Sequence, residues 1–367
     1  MFLPFLCLKN SILSAVFYKT SNSAAKDSFH DAALVLFSPD IFMLDRIKHN
    51  MKPIFKYLCI PALITLPVSS ACADEVVELP NQRLMGSSYD YTGKDLVLKW
   101  EKGKTPTDGS PIRDAQVTAQ NITIEADFPD DYGGILNKGI WSDHKTDVTA
   151  PGTINITTYD DGVYTAGIGK TNINGFKVLN ITSRSGFGLV DNGNGITIEG
   201  GEQSLVSIKS EYITRHFWIF EYQDSRPAIG SHYLSENYGK GIFIKSGMIK
   251  LDSEDNYSIY AGNGGKGRFE VNLDASEIDI TGTIYGDGGN ITITPRADGV
   301  MKISPSNTAK SSQLKDNSIF LTDGSTLTIN KDSAELKQMQ ITGKINVAGE
   351  GTSLLANMTG DSSISPR

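Results

Sequence analysis

The sequence INITTYDDGVYTAG, residues 154–167, is the clearest copy of a pattern that recurs along the chain. It has an alternating apolar and polar segment, a polar corner, and a second short segment that ends at glycine. Similar blocks begin at Leu179 and at Ile249. Alternation with a period of two is typical of β-strands. Units of about 20 to 30 residues built from such strands predict a β-solenoid, in which neighbouring units bury each other's inner faces.

The same alternation occurs in many short segments after residue 120. They occupy residues 121–124, 154–157, 178–181, 196–198, 269–273, 277–280, 290–293, 326–329 and 345–347. Turns rich in glycine, asparagine and aspartate separate them, and these residues tolerate the positive φ angles of tight corners. Such turns also close antiparallel hairpins, so a β-sandwich array is the alternative fold. About ten units stacked at about 4.8 Å predict a rod of about 50 Å.

Glycine and charge divide the chain into two kinds of sequence. All 36 glycines lie at or after Gly86. Residues 1–73 hold seven of the 34 Lys and Arg residues and four of the 42 Asp and Glu residues, which leaves the remainder with a net charge of −11. An acidic chain repels phosphate backbones, so nucleic acid is not an expected partner.

The three cysteines, Cys7, Cys59 and Cys72, all precede residue 74. A chain that begins at Asp74 therefore has no disulfide framework, no thiolate metal site and no cysteine nucleophile. We expect no metal and no cofactor from its motifs.

Residues 51–73 have the three parts of a secretory signal peptide. Two lysines supply a positive n-region, residues 57–68 an apolar h-region, and Ala71-Cys72-Ala73 a cleavage site of small residues. Cleavage is predicted between Ala73 and Asp74. The apolar run is shorter than a transmembrane anchor requires, and lipid attachment at Cys72 is the alternative processing.

A signal peptide normally begins at the translation start, whereas residues 1–50 precede this one. We interpret residues 1–50 as an N-terminal extension from a wrongly placed start, with Met51 or Met43 as the true first residue.

A cleavable signal followed by strands of the Ile-x-Ile type, rich in Gly, Asn and Thr, resembles the passenger region of Gram-negative autotransporter adhesins. The resemblance covers most of residues 74–367 and implies a right-handed parallel β-helix. Such passengers are followed by an outer-membrane β-barrel, and no barrel-like set of strands precedes Arg367. The missing translocator barrel indicates a truncated reading frame, a fragment, or a passenger exported by a separate partner.

On this resemblance, residues 74–120 form an N-terminal cap region, residues 121–350 the β-helix, and residues 351–367 a C-terminal tail. An aromatic insertion at residues 212–243 interrupts the alternation. Its candidate binding residues are Tyr212, His216, Phe217, Trp218, Tyr222, Tyr233 and Tyr238. Exposed aromatic side chains stack on sugar rings or anchor protein contacts. Alternatively, the insertion packs a small core of its own against the β-helix.

Five aspartates lie in polar corners: Asp130, Asp131, Asp160, Asp161 and Asp191. Parallel β-helices also include polysaccharide lyases and hydrolases. If these aspartates converge across neighbouring units, they resemble the paired catalytic carboxylates of glycosidases. Aspartate is common in turns for conformational reasons, so we interpret these five as solvated corner residues and expect no catalytic group.

The sequence therefore predicts an exported, non-enzymatic passenger at the cell surface or in the medium, associated with the outer membrane. Its predicted role is adhesion, a virulence function when the partner is a host. The predicted partners are host matrix or glycans, or passengers on sister cells, bound through many weak contacts. The alternatives are a carbohydrate-active β-helix enzyme and a structural spacer.

Overall fold

The computed structural model describes residues 7–8, 11–12, 75–104, 109–128, 137–217, 220–224, 226–231, 239–262, 268–309, 312–330, 338–356 and 362–365. The chain forms two compact units, residues 1–71 and residues 72–367. In the first unit, β1 (Cys7–Leu8) and β2 (Ser11–Ile12) pair in antiparallel orientation. The predicted signal peptide and its cleavage site at Ala73 and Asp74 lie outside the described residues.

The second unit is built almost entirely of strands. Its elements are β3 (Glu75–Glu78), β4 (Leu84–Met85), β5 (Ser88–Lys99), β6 (Ile112–Arg113), β7 (Gln116–Ala126), β8 (Ile140–Ser142), β9 (Lys145–Thr149), β10 (Thr153–Thr158), β11 (Val163–Ala166), β12 (Lys170–Asn174), β13 (Val178–Ser183), β14 (Leu189–Asn192), β15 (Ile196–Glu199), β16 (Leu205–Ser210), β17 (Ile213–Phe217), β18 (Phe220–Asp224), β19 (Ile229–Gly230), β20 (Gly241–Lys245), β21 (Met248–Gly262), β22 (Glu270–Asp287), β23 (Asn290–Ser304), α1 (Ser312–Asp316), β24 (Asn317–Thr322), β25 (Thr326–Ile329), β26 (Gln338–Thr342), β27 (Lys344–Val347), β28 (Ser353–Ala356) and β29 (Ser362–Ser365). Within the described ranges, no helix is long and apolar enough to cross a membrane.

The strands of the second unit pair in parallel along three ladders. The first ladder contains β3, β5, β7, β10, β13, β16, β21, β22, β23, β26 and β29. The second contains β4, β6, β8, β11, β14, β19, β21, β22, β24 and β27. The third contains β5, β7, β9, β12, β15, β20, β22, β23, β25 and β28. The chain visits the first, second and third ladder in turn, and each such pass is called a repeat below.

Inward positions of the first ladder form a continuous apolar stack. Ile154 pairs with Ile122 on one side and with Leu179 on the other, and all three are fully buried. Burial of one such side chain stabilises the fold by about 1.5–3 kcal/mol. A slip of one residue would place Asn155 in this stack, so the alternation of the sequence fixes the register.

Outward positions carry asparagine and threonine, and their amides bond along the ladders. Asn180 Nδ2 donates to Asn155 Oδ1 at 2.9 Å, and Asn172 Nδ2 donates to Asp147 Oδ1 at 2.6 Å. Parallel pairing brings equivalent positions together, which allows like residues to bond to each other. The outward side chains therefore stand in ordered rows.

A row of small residues, here called the small row, precedes the second ladder. Its members each lie directly before the first inward residue of a second-ladder strand, and they are Gly139, Gly162, Gly188, Ala228, Ser258, Thr283 and Ser318. A Cβ on Gly162 would overlap Ile181 Cγ2, so the row has no room for a side chain there. Further along, hydroxyl groups replace glycine, and Thr283 Oγ1 donates to Asn317 O at 2.7 Å.

These pairings confirm the predicted all-β class with parallel strands. Among the strands that the structure describes, antiparallel pairing joins β1 to β2 and β17 to β18 only. The hairpin closure expected of a β-sandwich array therefore does not organise the large sheet.

Candidate binding surface

The outward positions of the second ladder form one row, here called the aromatic row. In chain order it contains Arg113, Trp141, Tyr164, Val190, Gly230, Tyr260, Tyr285, Phe320 and Asn346. Each member is the direct parallel partner of the next, so neighbouring positions are about 4.8 Å apart. The aromatic members fall into two clusters, which Val190 and Gly230 separate.

The tryptophan cluster consists of Arg113, Lys138, Trp141 and Tyr164. The rings of Trp141 and Tyr164 meet edge to face, with centroids 5.3 Å apart. The Arg113 guanidinium lies 4.5 Å from the Trp141 ring centroid and donates to Asp143 Oδ2 from Nε at 3.1 Å and from Nη2 at 2.5 Å. A cation over an aromatic face is attracted by the ring quadrupole. One face of Trp141 is therefore covered by a cation that is itself neutralised.

Lys138 is a buried cation at the base of this cluster, with a side chain that is 2% exposed. Its Nζ lies 3.1 Å from Asp160 Oδ2, contacts Asp161 Oδ2, and lies 4.1 Å from the Tyr164 ring centroid. Burial lowers the pKa of Lys138, but the Asp161 and Asp160 carboxylates outweigh it and hold the pKa well above its ordinary value. Burial and the Asp160 charge raise the pKa of Asp161 to about 6, although Lys138 and the Phe187 N–H lower it. The ammonium group therefore keeps its charge inside the fold.

The tyrosine cluster consists of Tyr257, Tyr260, Tyr285 and Phe320. Tyr285 is its centre: its ring stacks on Tyr257 at 4.5 Å with planes 15° apart, and on Tyr260 at 5.5 Å. Phe320 lies 5.5 Å from Tyr285 on the other side, with its ring tilted. Tyr260 is buried, whereas the other three rings are half-buried. Mutual stacking therefore fixes the rings while part of three of them remains at the surface.

Two carboxyl groups border the tyrosine cluster. Tyr260 Oη donates to Asp287 Oδ2 at 3.2 Å, and Asp287 is hydrogen-bonded to Asp323. Burial raises the pKa of Asp287 and the neighbouring Asp323 raises it further, whereas the hydroxyl groups of Tyr260 and Thr322 lower it. The net result is a pKa above the ordinary aspartate value, because burial and a neighbouring carboxyl group both disfavour the charged form.

A buried hydroxyl lies next to these groups. Ser231 is fully buried, and its Oγ has no hydrogen-bond partner among the described residues. A Cβ built on Gly262 would lie 3.3 Å from Ser231 Oγ and 3.3 Å from Tyr260 Oη. Gly262 therefore packs closely against both hydroxyl groups, and a larger residue there would crowd them.

A shallow polar hollow on the third ladder adjoins each cluster. Beside the tyrosine cluster it is lined by Glu270, Asn272, Asn290, Thr292, Thr326 and Thr328. Beside the tryptophan cluster it is lined by Asp147, Lys170, Asn172, Asn174, Thr197 and Glu199. The hollow beside the tyrosine cluster belongs to the three repeats that carry Tyr260, Tyr285 and Phe320, so these repeats join rings to amide and hydroxyl groups.

The predicted insertion leaves the ladders between the two clusters. β17 and β18 pair only with each other, while β19 returns to the second ladder with Gly230 in the gap of the aromatic row. Ser210 Oγ donates to Arg226 O at 2.6 Å and closes the base of the β17–β18 excursion. Asp191 Oδ2 accepts from the Gly241 N–H at 2.8 Å, where the chain enters β20. Two buried polar side chains therefore fix the points at which the chain leaves and rejoins the sheet.

The candidate binding residues of the insertion lie in and around the β17–β18 hairpin. Tyr212 directly precedes β17, His216 and Phe217 belong to β17, and Tyr222 belongs to β18. Trp218, Tyr233 and Tyr238 lie outside the described residues. A binding role for these seven residues stays a prediction.

The interpretation of the corner aspartates as solvated is wrong for Asp161 and Asp191. Asp161 is 6% exposed and pairs with Lys138, and Asp191 is fully buried. Asp191 accepts the hydroxyl hydrogen of Thr165 and three backbone N–H groups of the corner and of the next repeat. These carboxylates satisfy buried donors, which is why they leave solvent. Asp160 stays partly exposed beside Lys138, and Asp130 and Asp131 lie outside the described residues.

Neither aromatic cluster is among the residues that the sequence pattern predicts to bind a partner. The usable signal was a β-branched residue followed by an aromatic one, which occurs at Ile140-Trp141, Val163-Tyr164, Ile259-Tyr260, Ile284-Tyr285 and Ile319-Phe320. In a parallel ladder, this dipeptide puts one side chain into the core and the next on the surface. The intervals are uneven, with 25 residues from Tyr260 to Tyr285 and 35 from Tyr285 to Phe320, and this hides the repeat.

The surface offers aromatic rings, hydroxyl and amide groups, and a carboxyl pair, which are groups for recognising a hydrogen-bonding ligand. In the part of the chain that the structure describes, no set of three or more His, Cys, Asp or Glu side chains is placed to hold a metal ion. Comparison with protein families, with curated proteins and with solved structures found no match.

Proposed function

We propose that residues 74–367 form a right-handed parallel β-helix that acts as a non-enzymatic adhesive passenger. The ladders support this fold, because each strand pairs with the equivalent strands of the repeats before and after it. In a closed barrel, by contrast, each strand would pair with its neighbours around the barrel and not with the equivalent strand of the next repeat. Crossover connections between parallel strands are right-handed in nearly all proteins, which supports the hand.

The aromatic row carries the proposed function. Its rings stand on a hydrogen-bonded ladder that fixes their spacing before any partner arrives, so little conformational entropy is lost on contact. Aromatic side chains also contribute most of the energy of many protein surfaces that bind partners. A row of such groups suits a partner with repeated features, because several weak contacts add up to high avidity.

The carboxylates of the tryptophan cluster favour a binding role over a hydrolytic one. Asp160 and Asp161 pair with Lys138, and Asp143 pairs with Arg113. A general acid or base must be able to exchange protons with a substrate, whereas these groups are engaged with internal cations.

On this proposal, the signal at residues 51–73 exports the chain across the inner membrane, and a translocator outside this sequence carries it to the cell surface or the medium. The partners are host matrix, glycans, or equivalent passengers on sister cells.

The test is a binding assay with the exported chain purified from producing cells. We expect saturable binding to immobilised host matrix, to glycans or to cells that display the same chain. Trp141→Ala combined with Tyr285→Ala should weaken binding by about tenfold or more, while Lys250→Ala, an exposed change on the first ladder, should leave it unchanged. The proposal fails if the chain binds none of these surfaces and cells without the gene adhere normally.

A further inference from the structure

We propose that the tyrosine cluster and its adjoining hollow bind a neutral saccharide, a ligand class that rests on the binding function proposed above. This surface is here called the tyrosine face. It comprises the tyrosine cluster, the carboxyl groups of Asp287 and Asp323 beside it, and the polar hollow on the third ladder that Glu270 and Thr328 help to line. Its parts belong to three consecutive repeats.

The aromatic part suits the C–H faces of sugar rings. Tyr257, Tyr285 and Phe320 are each half-buried, so they keep some ring surface open to solvent. Tyr285 contacts Tyr257 at 4.5 Å and Phe320 at 5.5 Å and so fixes the positions of these two rings, which are the ones that meet the sugar. Rings that are fixed in advance offer contact area without a further loss of side-chain entropy.

The polar part suits sugar hydroxyl groups. Asp287 and Asp323 accept hydrogen bonds, and the amides and hydroxyls of the hollow both donate and accept. Tyr260 Oη donates to Asp287 Oδ2 at 3.2 Å and so orients one of these carboxyl groups.

Charge restricts the ligand to a neutral one. Three carboxyl groups, those of Glu270, Asp287 and Asp323, stand on the tyrosine face. One cation, Arg268, reaches the hollow, where its Nη1 donates to Asn290 Oδ1 at 3.2 Å. The resulting negative potential repels uronic acids and sulfated sugars, whereas it accepts hydroxyl donors.

The tryptophan cluster is a matched comparison on the same ladder. Its Trp141 face is covered by the Arg113 guanidinium, and its Tyr164 ring is covered by the Lys138 ammonium group. Both cations are paired with carboxylates. At the same backbone positions the tryptophan cluster therefore sets cations against its rings, whereas the tyrosine face sets carboxyl groups beside them.

The experiment is calorimetric titration of the exported chain at pH 7 with cellohexaose, mannohexaose, chitohexaose and hexagalacturonate. We expect at least one neutral hexasaccharide to bind with a Kd of about 1 mM or tighter, and hexagalacturonate to bind about tenfold more weakly or not at all. Asp287→Asn and Tyr285→Leu should each weaken the neutral ligand by about tenfold. Lys250→Ala, an exposed change on the first ladder, should leave the Kd within about twofold.

Three results would overturn the assignment: no neutral hexasaccharide bound at about 10 mM, wild-type affinity in both tyrosine-face variants, or tighter binding of hexagalacturonate. If Tyr285→Leu loses the circular dichroism signal of its β-sheet, the affinity of Asp287→Asn, which keeps the shape of the side chain, tests the assignment in its place. A chain that fails this titration but still binds matrix or cells keeps the proposed adhesive function and loses only the ligand class. A chain that binds a hexasaccharide but no cell or matrix keeps the glycan partner of the proposed function and loses the matrix and sister-cell partners.

Discussion

The tryptophan cluster and the tyrosine cluster occupy equivalent positions on one ladder, but paired cations border the first and two carboxyl groups border the second. Arg113 and Lys138 cover the rings of the first cluster and are neutralised by carboxylates. In the second, Asp287 and Asp323 face each other beside partly open rings. The ladder thus determines where the rings stand, while the neighbouring residues determine whether cations or carboxyl groups border them.

The small row differs between the same two regions. Beside the tryptophan cluster it consists of glycine, and a Cβ on Gly188 would overlap Ile208 Cγ2. Beside the tyrosine cluster it carries hydroxyl groups, and Ser258 Oγ donates to Thr281 O. One region is close-packed by removing side chains, and the other is held by added hydrogen bonds.

The largest effect is expected from Lys138→Met, which leaves Asp161 buried without its cation. Loss of one partner from a buried ion pair costs about 3–5 kcal/mol of unfolding free energy. Urea unfolding followed by circular dichroism measures it. Lys170→Met, at an exposed site on the third ladder, is the control and should change the free energy by less than about 0.5 kcal/mol. If both changes lower the unfolding free energy equally, the buried pair of Lys138 and Asp161 does not distinguish the tryptophan cluster from an exposed site.

A smaller effect is expected in the small row. Gly188→Ala forces a methyl group against Ile208 and the Ala228 carbonyl and should lower the unfolding free energy by about 1–3 kcal/mol, as overpacking does. Ser258→Ala removes one hydrogen bond and should cost about 1 kcal/mol. The same urea measurements rank the two. If Ser258→Ala lowers the unfolding free energy more than Gly188→Ala does, hydrogen bonds matter more than close packing along the small row.

The smallest effect concerns the pH dependence of the tyrosine face. The folded-state pKa of Asp287 is raised, so the folded chain holds this proton more tightly than the unfolded chain. Its contribution to stability is therefore present below the ordinary aspartate pKa and is lost as pH rises through the raised value. Asp287→Asn should raise Tm relative to wild type more at pH 7 than at pH 4.

Asp316 supplies the control of opposite sign. The hydrogen bond and charge of Lys344 lower the pKa of Asp316, so its contribution is present above the ordinary value and is lost as pH falls through the lowered one. Asp316→Asn should therefore lower Tm at pH 7 and have less effect at low pH. Parallel pH profiles for the two variants would contradict the assignment of a raised pKa to Asp287.

The strands and the parallel apolar stacks follow from local pattern. Ile154 and Leu179 begin similar blocks, and the structure pairs them directly. The clusters depend on information from other repeats. The burial of Asp161 requires Lys138 from the repeat before it, and Phe320 joins Tyr285 only after α1 and a longer connection. Alternation along one strand carries no information about which side chains stand beside it in space.

The excursion between β16 and β20 has a consequence for the free energy of chain closure. Across most of the sheet, paired residues lie about one repeat apart, as Asn155 and Asn180 do at 25 residues. Across the excursion, the hydroxyl groups of Ser204 and Ser246 meet at 2.7 Å although 42 residues separate them. The entropy of closing a loop grows only with the logarithm of its length, and a doubling costs about 0.6 kcal/mol. The β17–β18 excursion, which lies between β16 and β19, can therefore gain or lose residues at almost no cost to the ladders on either side.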